Sequence, residues 1–232
     1  MMVAAHQPHY LAWLGYIDKI HTVDIFCLVD TIPFEEQIFQ YSNKIRSWNE
    51  AGEEWLAVPV IGEGRSGQLI KDVEISPGTN WREDHWQKIK SSYGKAPFFH
   101  AFEDFFEDLY KRDWKMLADL NEYMTRGILD FWGMSTQIVR SSALGVEGRK
   151  ANIHVEICRK LGADQYMSGA GQCKYLDQQA LRAAGIQHHV QQFTHPTYSQ
   201  VHGDFMPNMA AIDLLFNYGK KGAEFFRKVV LN

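Results

Sequence analysis

Apolar positions along the chain follow two rhythms. Met2 to Ala5 is a short unbroken apolar run that stops at His6, the mark of a strand covered on both faces. Beyond it, over Leu11 to Ile20, apolar residues recur at Leu14, Ile17 and Ile20, the spacing of one helix face. "DIFCLVD" is rich in β-formers and ends at Asp30, which predicts a second strand. Strand, polar turn, helix and strand in that order open an α/β fold. The middle of the chain changes character. Phe39, Tyr41 and Asn43 alternate with polar neighbours, and "WLAVPV" reads as extended, with Pro59 favouring a strand end or an edge. "LIKDVEIS" reads as a further strand and "GEGRSG" as a loop. Three helices follow. The first runs from Trp81 to Tyr93 behind Asn80 as N-cap. The second is "APFFHAFEDFFEDLYKR", with Pro97 near its start. The third runs from Trp114 to Trp132 and ends at Gly133.

The α/β rhythm then resumes. "STQIVRSS", "DQYMSG" and "IQHHVQQF" read as strands. Ala151 to Leu161 and "YLDQQALRAAG", stopped by Gly185, read as the helices between them. "MAAIDLLFNYG" and "GAEFFRKVV" read as closing helices. No internal repeat interrupts the pattern. The expected architecture is α/β: a doubly wound, mostly parallel sheet in one domain over 1–232, with a helical and antiparallel β insertion over about 38–132. His6, Asp30, Ser141 with Ser142, Ser168 with Gly169, and Phe193 to His195 mark the ends of the five main strands. Ligands of open α/β sheets bind outside those carboxyl ends, so the fold is expected to gather these residues.

Composition narrows the partners. The 232 residues carry a formal charge of −4 with mixed signs along the chain, which offers no basic surface for nucleic acid. No secretory signal and no apolar stretch of the roughly 20 residues a membrane helix needs is present, so no membrane insertion is expected. Cys27, Cys158 and Cys173 are scattered and odd in number, which suits a reducing, cytoplasmic setting. Neither HExxH nor paired CxxC occurs, so no metal site is expected from protein ligands.

Three polar stretches carry the candidate chemistry. The first is "HQPHYLAWLGYIDKI". Its His6-Gln7-Pro8-His9 unit, between a strand and a helix, resembles the histidine motif of the HxxH nucleotidylyltransferase superfamily. That likeness implies two histidines at a helix N-terminus holding phosphates; Pro8 departs from the glycine usual there and removes an N–H. The second is "YMSGAGQCKYLD". Ser168, Gly169 and Gly171 form a small-residue turn that either lets backbone N–H groups approach an anion or is a plain tight turn. Lys174 either neutralises that anion or sits in solvent, and Asp177 either orients Lys174 or starts a helix. The third is "FTHPTYSQVHGDF", where His195, Tyr198, Gln200 and His202 supply donors, acceptors and a general-base candidate. Asp213 sits in an apolar helix and needs a partner. His188 and His189 are adjacent and face opposite ways on a strand. The stripe of Phe98, Phe99, Phe102, Phe105 and Phe106 serves either helix packing or a homodimer contact.

Taken together, "HQPHYLAWLGYIDKI", "DIFCLVD", "YMSGAGQCKYLD", "HPTYSQVHGDF" and "AIDLLFNYG" resemble the WbqC-like protein family, in order and over nearly the whole chain. Ala12 stands where that family commonly has proline, and His9 where other small polar residues occur. The resemblance implies a transferase of bacterial O-antigen or other surface-polysaccharide assembly, with transfer of glycine or a related acyl group through a nucleotide-activated intermediate. ATP or another nucleotide, with magnesium, is the implied cofactor, and a nucleotide, sugar or amino acid the small-molecule substrate. In that reading His6, His9 and His195 are catalytic: the first two bind phosphate and the third is a general base. Gln7, Tyr10, Trp13, Tyr16, Lys19, Asp30, Ser168, Gly169, Gly171, Lys174, Tyr198 and Gln200 bind ligand. Two alternatives stand beside it. One is a nucleotidylyltransferase making an activated sugar or alcohol. The other is a non-catalytic glycan- or nucleotide-binding module that stacks Tyr10, Trp13 and Tyr16 on its ligand.

Overall fold

A computed structural model describes residues 1–36, 39–62, 67–147, 152–174 and 176–226. Five strands form one parallel sheet: β1 (Met2–His6), β2 (Ile25–Leu28), β5 (Gln137–Arg140), β6 (Gln165–Ser168) and β7 (Gln187–Val190). Their spatial order is β5-β2-β1-β6-β7. The chain starts in the middle at β1, steps outward through β2 to β5, returns to the other side of β1 as β6, and steps outward again to β7. The direction of winding therefore reverses between β1 and β6. In register, Val3 lies opposite Ile25 on one side and Tyr166 on the other.

The period of two in the strands separates two cores. Ala4, Phe26, Leu28 and Met167 face one cluster with α1 (Leu14–Thr22), α2 (Trp81–Tyr93), α3 (Phe99–Lys111), α4 (Leu117–Phe131) and α7 (Ala211–Tyr218). Val3, Ala5, Cys27, Val29 and Tyr166 face the other, against α5 (Ile153–Leu161) and α6 (Gln178–Ala183). Continuous apolar strands are thus the direct consequence of a sheet sandwiched on both faces. A separate antiparallel pair, β3 (Ser42–Arg46) and β4 (Glu53–Ala57), lies with α2–α4 in the stretch between β2 and β5. Pro59 falls just beyond β4. Phe99, Phe102 and Phe106 are buried between helices, and Phe105 packs so closely on α4 that a Cβ at Gly127 would lie 2.1 Å from its ring. Among the described residues no helix is long and apolar enough to cross a membrane.

Four local expectations are corrected. The first helix starts at Leu14 rather than Leu11. Leu11 takes a left-handed φ of 45°, its carbonyl accepts from Asn43 Nδ2 at 2.6 Å, and Trp13 bridges to Ala210, so long-range contacts hold the chain extended there. "LIKDVEIS" is no strand. It is a 3-10 turn over Ile70–Asp72 with isolated bridges on either side, because its N–H groups are shared out among carbonyls of Ile32, Asp30 and Lys115. The third long helix starts at Leu117 rather than Trp114, since Lys115 and Leu117 bond to that same segment. The closing stretch forms a 3-10 turn over Gly219–Phe225, and its remainder, 227–232, lies outside the described residues, as do 63–66 of the "GEGRSG" loop and Ala151 of the expected Ala151 to Leu161 helix. Asn80 holds the N-cap position of α2 without a side-chain cap, whereas Asp177 caps α6 by accepting from Ala180 N at 2.9 Å.

Candidate functional site

The chain leaves β1 at His6 and covers seven residues before α1 begins, a non-helical connection that turns at Tyr10 and Leu11. His6 and His9 therefore lie ahead of the helix rather than at its N-terminus, which corrects the placement implied by the superfamily motif. The segment is fixed by its own side chains. Tyr16 of α1 donates to Gln7 O at 3.2 Å, and the Tyr16 ring stacks on His9 at 4.8 Å. His6 meets His9 edge-on at 4.7 Å. Trp13 lies flat across the first turn of α1, where only a glycine at position 15 leaves room: a Cβ there would meet the indole at 2.3 Å.

These groups form one wall of a cavity of about 390 Å³, within the range that holds small ligands. The opposite wall is the turn after β6, Gly169 to Gln172, and the far side is Gln191 and Phe193 after β7. Gln191 is pinned by bonds from Nε2 to Asp18 Oδ2 at 2.6 Å and Gly15 O at 2.9 Å. Phe39 closes the mouth, tilted on His9 at 5.9 Å and stacked on the exposed Trp55 at 6.0 Å. The cavity thus sits over the carboxyl ends of β1, β6 and β7, at the reversal of winding, where doubly wound sheets bind ligands.

Its electrostatics are unbalanced. Lys19 projects from the fourth residue beyond Gly15 into the cavity floor and is 3% exposed, yet its Nζ has no hydrogen-bond partner among the described residues. A Cβ at Gly169 would lie 3.4 Å from that Nζ, so the glycine lets the turn approach the ammonium. Burial lowers the Lys19 pKa to about 8. Both His9 ring nitrogens are also buried without partners, and burial, with Lys19 beside it, lowers its pKa to about 3. Burial first, then His9 and Lys19, hold His6 well below the usual imidazole range. His6 Nδ1 lies 3.2 Å from Gln7 O, which fixes the Nδ1–H tautomer and leaves Nε2 as an acceptor. Among the described residues the cavity lining contains one ammonium and no carboxylate. A buried, unpaired cation is costly unless an anion joins it.

The fold brings His6, Gln7, His9, Trp13, Tyr16, Lys19, Gly169 and Gly171 to this cavity. It directs the other candidates elsewhere. Tyr10 is fully buried between His85 Nδ1 at 2.8 Å and Tyr110 OH at 2.7 Å. Asp30 accepts from Ser141 Oγ, Ser142 N and Ser142 Oγ at 2.9, 2.9 and 2.6 Å, tying the ends of β2 and β5 together. Ser168 Oγ pairs with His188 Nε2 at 2.8 Å, while His189 faces Gln165 on the other side of β7. Tyr198 OH and Gln200 Nε2 each donate to Asp213 Oδ2 at 2.7 Å, which supplies the buried carboxylate's partners. His195 has both ring nitrogens engaged: Nδ1–H donates to Pro196 O at 2.8 Å and Nε2 accepts from Asn208 N at 3.1 Å. The side chain of Lys174 lies outside the described residues. Six lining residues stand outside the expected ligand set: Gly15, Phe39, Ala170, Gln172, Gln191 and Phe193. Gln172 stands inside the small-residue turn motif, and Gln191 and Phe193 lie just past a strand; nothing in the sequence near Phe39 announces its position. Among the described residues no group of three or more His, Cys, Asp or Glu is placed to hold a metal ion.

Fold and site define a class: a doubly wound α/β protein with a cationic, aromatic-rimmed cavity at its switch point. A family model for the WbqC-like protein family matches residues 7–225. The chain belongs to that family. It is 29% identical over 229 residues to a Mycobacterium tuberculosis (strain ATCC 25618 / H37Rv) protein that is itself described as uncharacterized, with 97% of each chain covered. No solved structure matches the chain at a significant level.

Proposed function

We propose that this protein is a transferase of surface-polysaccharide assembly that holds an anionic, nucleotide-activated acyl donor, glycyl among the candidates, in the cavity at the switch point. The observation that carries the reading is the buried Lys19 ammonium, without a partner among the described residues and facing the Gly169 turn. A phosphate there would supply the missing counter-charge, and the imidazole N–H of His9 offers a further donor. The surface-glycan setting comes from the family resemblance. A nucleotide fits this donor set; its magnesium would be bound through its own phosphates, since the described residues of the lining bring no carboxylate.

The base assigned to His195 passes in this proposal to His6, whose Nε2 is left as an acceptor. As the acceptor's oxygen or nitrogen bonds to the acyl carbon, His6 Nε2 takes its proton and the phosphate departs with the electrons of the broken acyl–oxygen bond. Phe39 and Trp55 at the mouth give an acceptor sugar rings to stack on. Calorimetric titration of the full chain with ATP and nucleotide sugars tests the reading. The wild type binds one of them, and Lys19→Met weakens that binding about 100-fold, as expected for losing a desolvated charge pair. A wild type that binds no nucleotide removes the activation step.

A further inference from the structure

A second cavity, of about 600 Å³, opens over the carboxyl ends of β1 and β2, and it shares His6, Gln7, Gly171 and Gln172 with the first. The two spaces therefore lie side by side at the same turn. Their chemistry differs. The new walls are Ala5, Val29, Ile32 and Ile153, with His154 as the added polar side chain and no charged group among the described residues of the lining. His154 Nδ1 lies 2.9 Å from Tyr166 OH, and Gln172 Nε2 lies 3.1 Å from that same hydroxyl. Gln172 Oε1 is buried with no partner among the described residues.

A charged group would meet no counter-charge among the described residues of this mostly aliphatic lining. A sugar would leave most of its hydroxyls facing aliphatic side chains. A flat, uncharged ring with one or two donors on its edge matches the wall and the spare amide oxygen. We infer that a single nucleotide spans both cavities, its phosphates against Lys19 and its base in the aliphatic cavity, met at its edge by Gln172. This rests on the nucleotide reading above and adds which part of the molecule each cavity takes. It also accounts for the shared residues, because His6, Gln7 and Gly171 then lie beside the link between phosphate and base.

Full-length protein is titrated with inorganic pyrophosphate and with ADP, GDP, CDP and UDP. The tightest nucleoside diphosphate binds at least about 10-fold more strongly than pyrophosphate in the wild type, because it alone fills the apolar space. Ile32→Trp, which occupies that space, brings its affinity down to that of pyrophosphate and leaves pyrophosphate binding unchanged. Gln172→Ala lowers nucleotide affinity and leaves pyrophosphate alone; it serves equally should the tryptophan variant fail to fold. Lys19→Met weakens binding of both ligands about 100-fold. Equal wild-type affinity for pyrophosphate and every nucleotide, or nucleotide binding untouched by Ile32→Trp and Gln172→Ala, overturns the inference while the anion reading stands. A wild type that binds neither pyrophosphate nor nucleotide overturns both.

Discussion

Asp30 and Lys19 are two buried charged side chains in the same α/β layer, and their surroundings are opposite. Asp30, just past β2, is fully buried and accepts three hydrogen bonds from Ser141 and Ser142. Lys19, on α1 beside the end of β1, is almost as buried and its Nζ bonds to nothing among the described residues. Burial of a charge is a strong constraint in both places, but it has been met from within the chain in only one. A satisfied carboxylate holds two strand ends in register. An unsatisfied ammonium lining a cavity of about 390 Å³ is, in the proposed reading, met by an anion from outside. Satisfaction by neighbours, rather than residue type or closeness to a strand end, separates architecture from ligand binding here.

The contrast can be broken by substitution. Asp30→Ala leaves two hydroxyls and an N–H without their acceptor and is expected to destabilise the fold by about 3 to 5 kcal/mol in denaturant unfolding, with anion affinity unchanged. A stable variant that no longer binds ligand would make Asp30 a binding group. Lys19→Met is expected to do the reverse: nucleotide or pyrophosphate affinity falls about 100-fold, close to 2.7 kcal/mol, while the folded state is no less stable. Loss of the fold in that variant would mean the ammonium serves the structure.

Alkaline pH sharpens the same point through Lys19, whose pKa is lowered by burial to about 8 from 10.5. Between those values the unfolded chain holds a proton that the folded chain has released, so stability rises with pH by about 1.4 kcal/mol per unit from this group. Anion affinity moves the other way, falling about tenfold per unit above pH 8 as the ammonium is lost. The side chains facing it, His6, His9 and His154, are all depressed below the usual imidazole range and are neutral throughout that window. Calorimetry and thermal unfolding across pH 7 to 10, on wild type and Lys19→Met, read both slopes; parallel slopes, or a variant that keeps them, would remove Lys19 as their source. The smallest expected effect is at Tyr10, which lies in the first polar motif but bonds only within the core. Tyr10→Phe should cost about 1 kcal/mol of stability and leave ligand affinity as it was.

The layer that carries the cavity was largely legible in the chain. Ile25–Leu28, Gln165–Ser168 and Gln187–Val190 lie within the stretches that predict them and Met2–His6 runs one residue past its apolar run; β1 and β2 are apolar because the sheet covers them on both faces. The middle was less legible. "LIKDVEIS" has a strand's composition, yet its backbone is claimed one residue at a time by three different segments, and no local pattern encodes that. Among candidate side chains the same limit applies. His6 and Lys19 reach the cavity, but Tyr10, the next residue after His9, turns into the core because Leu11 reverses its backbone sense. His195 carries the chemistry of a base, and its two ring nitrogens are taken by backbone groups of its own loop.

The sequence by itself determined the alternation of strands and helices and the family, since both rest on local spacing and on ordered motifs. It also determined that polar groups would gather at strand ends. Only the tertiary structure decided which of those groups meet. The winding reverses between β1 and β6, which brings residues near 6 and near 170 face to face, and burial there depends on Phe39 and Phe193 arriving from elsewhere in the chain. Whether a buried polar atom finds a partner is a property of that three-dimensional neighbourhood, and it is why Asp30 is settled and Lys19 is not.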